Sequence, residues 1–174
     1  LFRSKKKVRH IIIDGNAQLP NKEIKGTFFK KGAFTKTNEA GKLSTLLKAK
    51  KFTPERWEED KKHLIEKYYE HGFRDATILK DSIWNADDKH VNVYVKVDEG
   101  KKYYIRNITW VGNTVYPSDA LMNQLRMNKG DLYNQTLLNK RLSEDEDAIG
   151  KQYYNNGYVF YRLDPVETKV EGDS

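Results

Sequence analysis

The chain has 174 residues, 33% of them charged and 37% hydrophobic, so one ordinary domain or two small ones with an economical core are expected. It contains no cysteine, which excludes disulfides, thiolate metal sites and cysteine nucleophiles together. No run approaches the roughly 18 apolar residues of a membrane-spanning helix. No signal-peptide pattern opens the chain and Leu1 stands first, so a segment of a longer protein is expected.

The formal net charge of +7 invites a nucleic-acid reading. Its distribution argues against one. Residues 1–51 hold 14 Lys and Arg against 3 acids, while the remainder holds 18 against 22. The excess sits in Arg3–Arg9 and Lys30–Lys51, and runs of this kind are more often solvated tails or loops than binding sites. A basic nucleic-acid-binding protein is a rival class; no nucleic-acid partner is expected.

In chain order, Ile11, Ile12 and Ile13 suit a strand. Gly15-Asn16 stops it with residues that tolerate positive φ. Asn21, after Pro20, is placed to cap a helix carrying Ile24 and Phe28 at i, i+4. Lys30–Lys51 then interrupts with seven lysines and Glu39 as its one acid. Leu43, Leu46, Leu47 and Phe52 would give that stretch a short amphipathic helix able to meet anionic lipid or an acidic partner; a solvated loop is the plainer expectation. Thr53-Pro54-Glu55 starts a longer helix with a cap, a proline in the first turn and an acid at the positive end of the dipole. Trp57, Leu64, Ile65, Tyr68 and Tyr69 form its buried side, and Gly72 ends it. Ala76–Trp84 reads as a strand and Asn85–Lys89 as a turn. Val91, Val93, Val95 and Val97 then alternate with polar residues at a period of two, until Asp98-Glu99-Gly100.

The same order begins again. Val8–Phe28 aligns with Ile105–Leu125 at an offset of 97, sharing Arg9/Arg106, Ile11/Ile108, Gly15/Gly112, Asn16/Asn113 and Pro20/Pro117. Thr53–Phe73 aligns with Leu138–Tyr158 at an offset of 85, sharing Arg56/Arg141, Glu59/Glu144, Asp60/Asp145, Tyr68/Tyr153, Tyr69/Tyr154 and Gly72/Gly157. Eleven identities in 42 positions far exceed the roughly one in fifteen to twenty expected from ordinary composition. The fold class is therefore α+β: two tandem β-α-α-β-β modules, each with two helices on one face of a three-stranded mixed sheet. The first module spans 1–100, with the lysine-rich insertion at about 30–51, and the second spans 101–174. In the second, Tyr158–Leu163 can serve as the fourth element and Val166–Val170 is weakly strand-like, but the four-valine strand has no counterpart. An exposed sheet edge follows, and with it a weakened module, one completed by a partner, or self-association.

Chemistry is sparse. His63 and His71 lie eight apart on one helix, too far for an i, i+4 metal pair, and His10 and His90 stand alone. The acidic run Glu144–Asp147 lacks the ligand spacing and bend glycine of a calcium loop. No phosphate loop, dinucleotide fingerprint or nucleophile elbow occurs. Neither an enzyme, a metal nor a cofactor is expected. Tyr-Tyr-x-x-Gly-(Phe/Tyr) could stack on nucleic-acid bases, but its place at a helix end favours core packing.

The motifs GNAQLP and GNTVYP, YYEHGF and YYNNGY, and the junction VDEGKKYYIRNITWVGNT resemble POTRA (polypeptide-transport-associated) domains of BamA-type outer-membrane assembly factors. The resemblance runs from Val8 to about Leu163. It implies a periplasmic string of modules, attached to the outer membrane of a Gram-negative bacterium and preceding a membrane β-barrel. Such modules hold unfolded outer-membrane protein clients and accessory lipoproteins; a two-partner secretion transporter is the related alternative. The family layout makes the strand after the second helix a free edge for strand addition. Carried over to this chain, that edge is Ala76–Trp84, above all Thr77, Ile78, Leu79 and Ile83, and Val159–Leu163 in the second module, with Val159, Phe160, Tyr161 and Arg162.

Overall fold

The computed structural model describes residues 6–26, 32–37 and 51–170. Its backbone falls into two compact units: Leu1–Arg106 with Lys129–Thr136, and Asn107–Asn128 with Leu137–Ser174.

Unit 1 is built on strands β1 (Lys7–Asp14), β2 (Thr77–Asn85) and β3 (His90–Asp98), with helices α1 (Asn21–Lys25) and α2 (Pro54–Glu70) between β1 and β2. The strand order is β1-β3-β2. The last strand in sequence is thus the middle one in space, parallel to β1 and antiparallel to β2. The alternation in β3 has the expected result. Val91, Val93, Val95 and Val97 are buried against Ile11, Ile24, Trp57, Leu64, Tyr68 and Phe73, while Asn92, Tyr94 and Lys96 point to the other face. Tyr68 and Phe73 meet edge to face, with centroids 5.6 Å apart.

Helix α2 begins and ends as the sequence indicates. The Thr53 hydroxyl accepts from the Arg56 N–H at 3.3 Å, Pro54 opens the helix, and Gly72 leaves it at φ 84°. The cap expected of Asn21 does not form. Asn21 is the first residue inside α1, Pro20 holds the cap position, and the Asn21 side chain instead accepts from Asn16 Nδ2 at 3.3 Å. Asn16 Nδ2 also donates to the Leu19 carbonyl, and the second copy repeats both contacts from Asn113 to Tyr116 and Ser118.

The lysine-rich insertion is not simply a solvated loop where it is described. Ala33, Phe34 and Thr37 are buried, and Phe34 stacks on Trp57 at 6.0 Å. The fully buried Asp60 carboxylate accepts the backbone N–H groups of Thr35, Lys36 and Thr37 at 2.6–3.1 Å and the Thr37 hydroxyl at 2.6 Å. A buried carboxylate is tolerable only with its lone pairs filled in this way. Phe52 is also buried, whereas Leu43, Leu46 and Leu47 lie outside the described residues. At the far end of β3, buried Glu99 accepts from the N–H groups of Gln18 and Leu19 and so ties the β1–α1 turn to the sheet.

Unit 2 carries α3 (Ser118–Leu125), the end of α4 (Gln135–Asn139), a π-helical turn at Lys140–Glu144 and α5 (Ile149–Asn155). Leu121, Leu125, Met127, Leu142, Ala148 and Ile149 are buried. The single long helix expected over Leu138–Tyr158 is broken at Asp145–Ala148, both of which adopt extended ψ. Ser143, Asp145 and Asp147 are poor helix formers, and with Glu144 and Glu146 they crowd four negative charges at a helix C-terminus, where negative charge is unfavourable. No described residue of unit 2 belongs to a strand.

Asp60→Asn would turn an amide N–H₂ toward donors and should destabilise unit 1 by about 2–4 kcal/mol in urea unfolding. Asp145→Asn, at the aligned position, loses only the partly exposed ion pair with Arg141 and should cost about 1 kcal/mol or less. Equal effects at the two sites would contradict the burial argument.

Candidate functional site

The rim of the sheet in unit 1 is asymmetric. Along β1 it is engaged: Lys51 bridges to Lys7, the Phe52 N–H donates to the Lys6 carbonyl at 2.7 Å, and the Lys25 ammonium donates to the Ile11 carbonyl at 2.5 Å. Along β2 no described strand pairs with the side away from β3. Every second residue of a nine-residue edge strand turns its N–H and C=O outward, and such groups accept a further strand.

Of the residues expected at this edge, Thr77, Ile78, Leu79 and Ile83 all lie on β2. Ile78 opposes Val97 and packs on the core, while Leu79 is the extra residue of a bulge, since Ile78 pairs with Val97 and Lys80 with Lys96. Leu79 is 59% exposed and Ile83 42%. Beyond the bulge, Asp81, Ile83 and Asn85 oppose the valines of β3, and Lys80, Ser82 and Trp84 share the outer face with Lys96, Tyr94 and Asn92.

Asp81 is a carboxylate on the helix-facing side of an edge strand, and it anchors the rim. Trp57 Nε1 donates to Asp81 Oδ2 at 2.8 Å and Lys61 Nζ donates to the same oxygen at 3.2 Å. Partial burial would raise the Asp81 carboxyl, but these two hydrogen bonds and the lysine charge outweigh it and hold the group below its ordinary value. Partial burial likewise works against the Lys61 ammonium, and Glu58 and Asp81 together raise it. Deeper in, burial and the Glu99 charge push the Tyr68 phenol well up, so it stays neutral. Among the described residues no cluster of His, Cys, Asp and Glu could hold a metal ion.

In the second copy, Val159, Phe160, Tyr161 and Arg162 form no strand. The offset of 85 sets Val159, Phe160 and Tyr161 beside Arg74, Asp75 and Ala76, ahead of β2, and only Arg162 beside a strand residue, Thr77. Tyr161 stacks on Tyr153 at 5.7 Å, and Arg162 pairs with Asp164. Sequence reasoning missed the Lys25 contact, for which a lysine in a short helix gives no signal, and the Asp81 anchor. A carboxylate in phase with Ile83 was the available sign of the latter.

The sequence matches the model of the POTRA family, described as surface antigen variable number repeat, twice: over residues 6–100 and again over 103–173. The chain belongs to the POTRA family. Among curated POTRA relatives, the outer membrane protein assembly factor BamA of Neorickettsia risticii (strain Illinois) is 25% identical over 172 residues, which are 95% of this chain and 21% of that protein. BamA of Neisseria meningitidis serogroup B is 26% identical over 88 residues, 48% of this chain and 11% of that protein. The chain thus spans about a fifth or less of the length of these relatives. A crystal structure of Haemophilus influenzae BamA POTRA3-5 aligns over 76% of this chain and 50% of that one, at 19% identity and a TM-score of 0.49.

The Asp81 anchor of the first POTRA module has a testable pH signature. Its folded pKa is lowered, so its stabilisation is complete above the unfolded aspartate value of about 3.9 and is lost as pH falls through the folded value. Asp81→Asn should be less stable than the parent at pH 7, with the gap closing as pH falls below about 4 in urea titrations. A gap independent of pH would show that the charge contributes nothing.

Proposed function

We propose that this chain is a periplasmic POTRA tandem of an outer-membrane β-barrel assembly factor, its modules meeting near Gly100–Lys101, and that it receives extended polypeptide by strand addition along β2. The observation that carries this reading is the asymmetric rim: β1 is occupied by Lys51, Phe52 and Lys25, while along the nine residues of β2 no described strand pairs on the side away from β3. Main-chain hydrogen bonds do not read side chains, so one such edge serves clients of many sequences, with Leu79, Ile83 and Trp84 adding apolar contact beside it. The BamA relatives support the setting. In it the clients are unfolded outer-membrane proteins, accessory lipoproteins bind alongside, and a membrane β-barrel belongs to the same polypeptide. The role is a non-catalytic scaffold. Contact of the lysines at 30–51 with a membrane surface is a further part of the proposal, and most of that stretch lies outside the described residues.

Backbone-amide NMR during titration with a β-strand peptide from an outer-membrane protein tests the rim. Shifts should concentrate in Thr77–Asn85. Scrambling the side chains of the peptide should change affinity by about tenfold or less, while N-methylation of alternate residues on one edge should abolish binding. Shifts spread evenly over unit 1, or none at millimolar peptide, would overturn the proposal.

A further inference from the structure

The β2 rim is held from the helix side by a side chain that has a second task. Trp57 donates its indole N–H to Asp81 Oδ2 at 2.8 Å, while its ring lies in the core. Phe34 covers one face of that ring, with centroids 6.0 Å apart and planes 11° from parallel. Phe34 belongs to the described part of the insertion, residues 32–37, which is fastened at both ends. At one end the Ala33 N–H donates to the Ile24 carbonyl at 2.7 Å, and a Cβ on Gly32 would collide with the backbone of Lys25 and Gly26. At the other end Asp60, one turn along α2 from Trp57, accepts the N–H groups of Thr35, Lys36 and Thr37 and the Thr37 hydroxyl. Lys36 Nζ also pairs with Glu59 at 3.3 Å.

Asp81 lies where β2 most needs a lateral hold. The bulge at Leu79 interrupts the ladder with β3 just before it. A partly buried carboxylate stays on the helix side only through its donors. Here these are Trp57 and Lys61, and Lys61 is shared with Glu58 at 2.8 Å. Without the Phe34 ring the indole would border a cavity, and a rotamer that fills it would carry Nε1 away from Asp81. The second copy lacks both pieces together. Leu142, which has no donor, stands at the position of Trp57, and the loop that would bear a strap is about a dozen residues shorter. Its aligned acid, Asp145, turns to Arg141. Strap and indole donor come as a pair.

We propose that residues 32–37 are a positioning strap for the β2 rim: Phe34 sets Trp57, Trp57 sets Asp81, and the strap thereby governs how tightly the rim holds a guest strand. The effect on capture rests on the function proposed above; the positioning of Asp81 does not. With the strap seated, the edge is ordered before a guest arrives. With the strap displaced, Asp81 keeps Lys61 alone and the middle of β2 frays. A guest must then meet the cost of ordering it, and binds more weakly. The insertion becomes a control element of the first module, acting from the helix side on an edge it does not touch.

Side-chain carboxyl NMR on the 174-residue chain tests the strap, with Val8→Ala on β1 as the control for lost core stability. Partial burial raises the Asp81 carboxyl, and the Trp57 and Lys61 hydrogen bonds outweigh it. In Phe34→Ala the first of those bonds is lost, so the Asp81 titration should move up and the Trp57 indole proton should shift. Amides at 79–83 should exchange about tenfold faster, and a β-strand peptide should bind the rim about tenfold more weakly. Val8→Ala should leave the Asp81 titration in place. An unmoved Asp81 in Phe34→Ala, or an equal movement in Val8→Ala, overturns the proposal. Should Phe34→Ala fail to fold, Phe34→Leu keeps most of the volume without the flat ring and should move Asp81 the same way by less; no movement there overturns it too. If Asp81 moves while parent and variant bind the peptide equally, control of capture is overturned. If the parent binds no peptide, the function proposed above falls, and the Asp81 titration still decides the strap.

Discussion

Every ladder in the sheet of unit 1 runs through β3: β1 meets it on one side, β2 on the other, and neither meets the other. The helices reach the sheet largely through its four valines, the β1–α1 turn is fastened by Glu99 just beyond its end, and Gly15 presses on its Val97 carbonyl. Backbone groups taken from water need partners, so the strand threaded last through the chain decides whether the first has any structure. The parallel pairing of β1 with β3 also requires a long crossover. That crossover contains α1, the insertion, α2 and β2, and its closure waits on the end of the module.

One aligned aspartate has two fates. In unit 1, Asp60 is buried mid-helix and the insertion wraps its backbone N–H groups around the carboxylate. In unit 2 the corresponding loop is about a dozen residues shorter. Asp145 turns to Arg141 instead, and the helix breaks beside it. The insertion is thus part of the packing of the first module, contributing Phe34 against Trp57, and its lysines are the surface of a folded feature in the part that is described.

Much of this was legible in the residues. The four-valine alternation, the Thr53-Pro54 helix start, the Gly-Asn turns and the duplication all rest on local periods and turn chemistry, and each local rule agrees with the tertiary outcome. The position of β3 between β1 and β2 was not legible, because sequence order carries no information about which strand lies in the middle. Among the described residues of the second unit there is no ladder, where the sequence had suggested one bare edge. The buried role of Ala33, Phe34 and Thr37 escaped notice for another reason: six residues without periodicity, set among lysines, give no sign of a core. Asn21 failed as a cap because Asn16 claims its side chain, a contact across five residues that composition does not reveal.

The ammonium of Lys25 on the Ile11 carbonyl has a consequence for stoichiometry. A sheet receptive along both margins can grow without limit, each added strand offering a fresh template, and that is the route to fibrils. With one margin stoppered by a cation and by Lys51–Phe52, only the β2 margin of unit 1 has no described strand beside it. On the proposed reading a guest on β2 faces no opposing guest across the sheet, and a basic side chain in a five-residue helix holds unit 1 to one added strand.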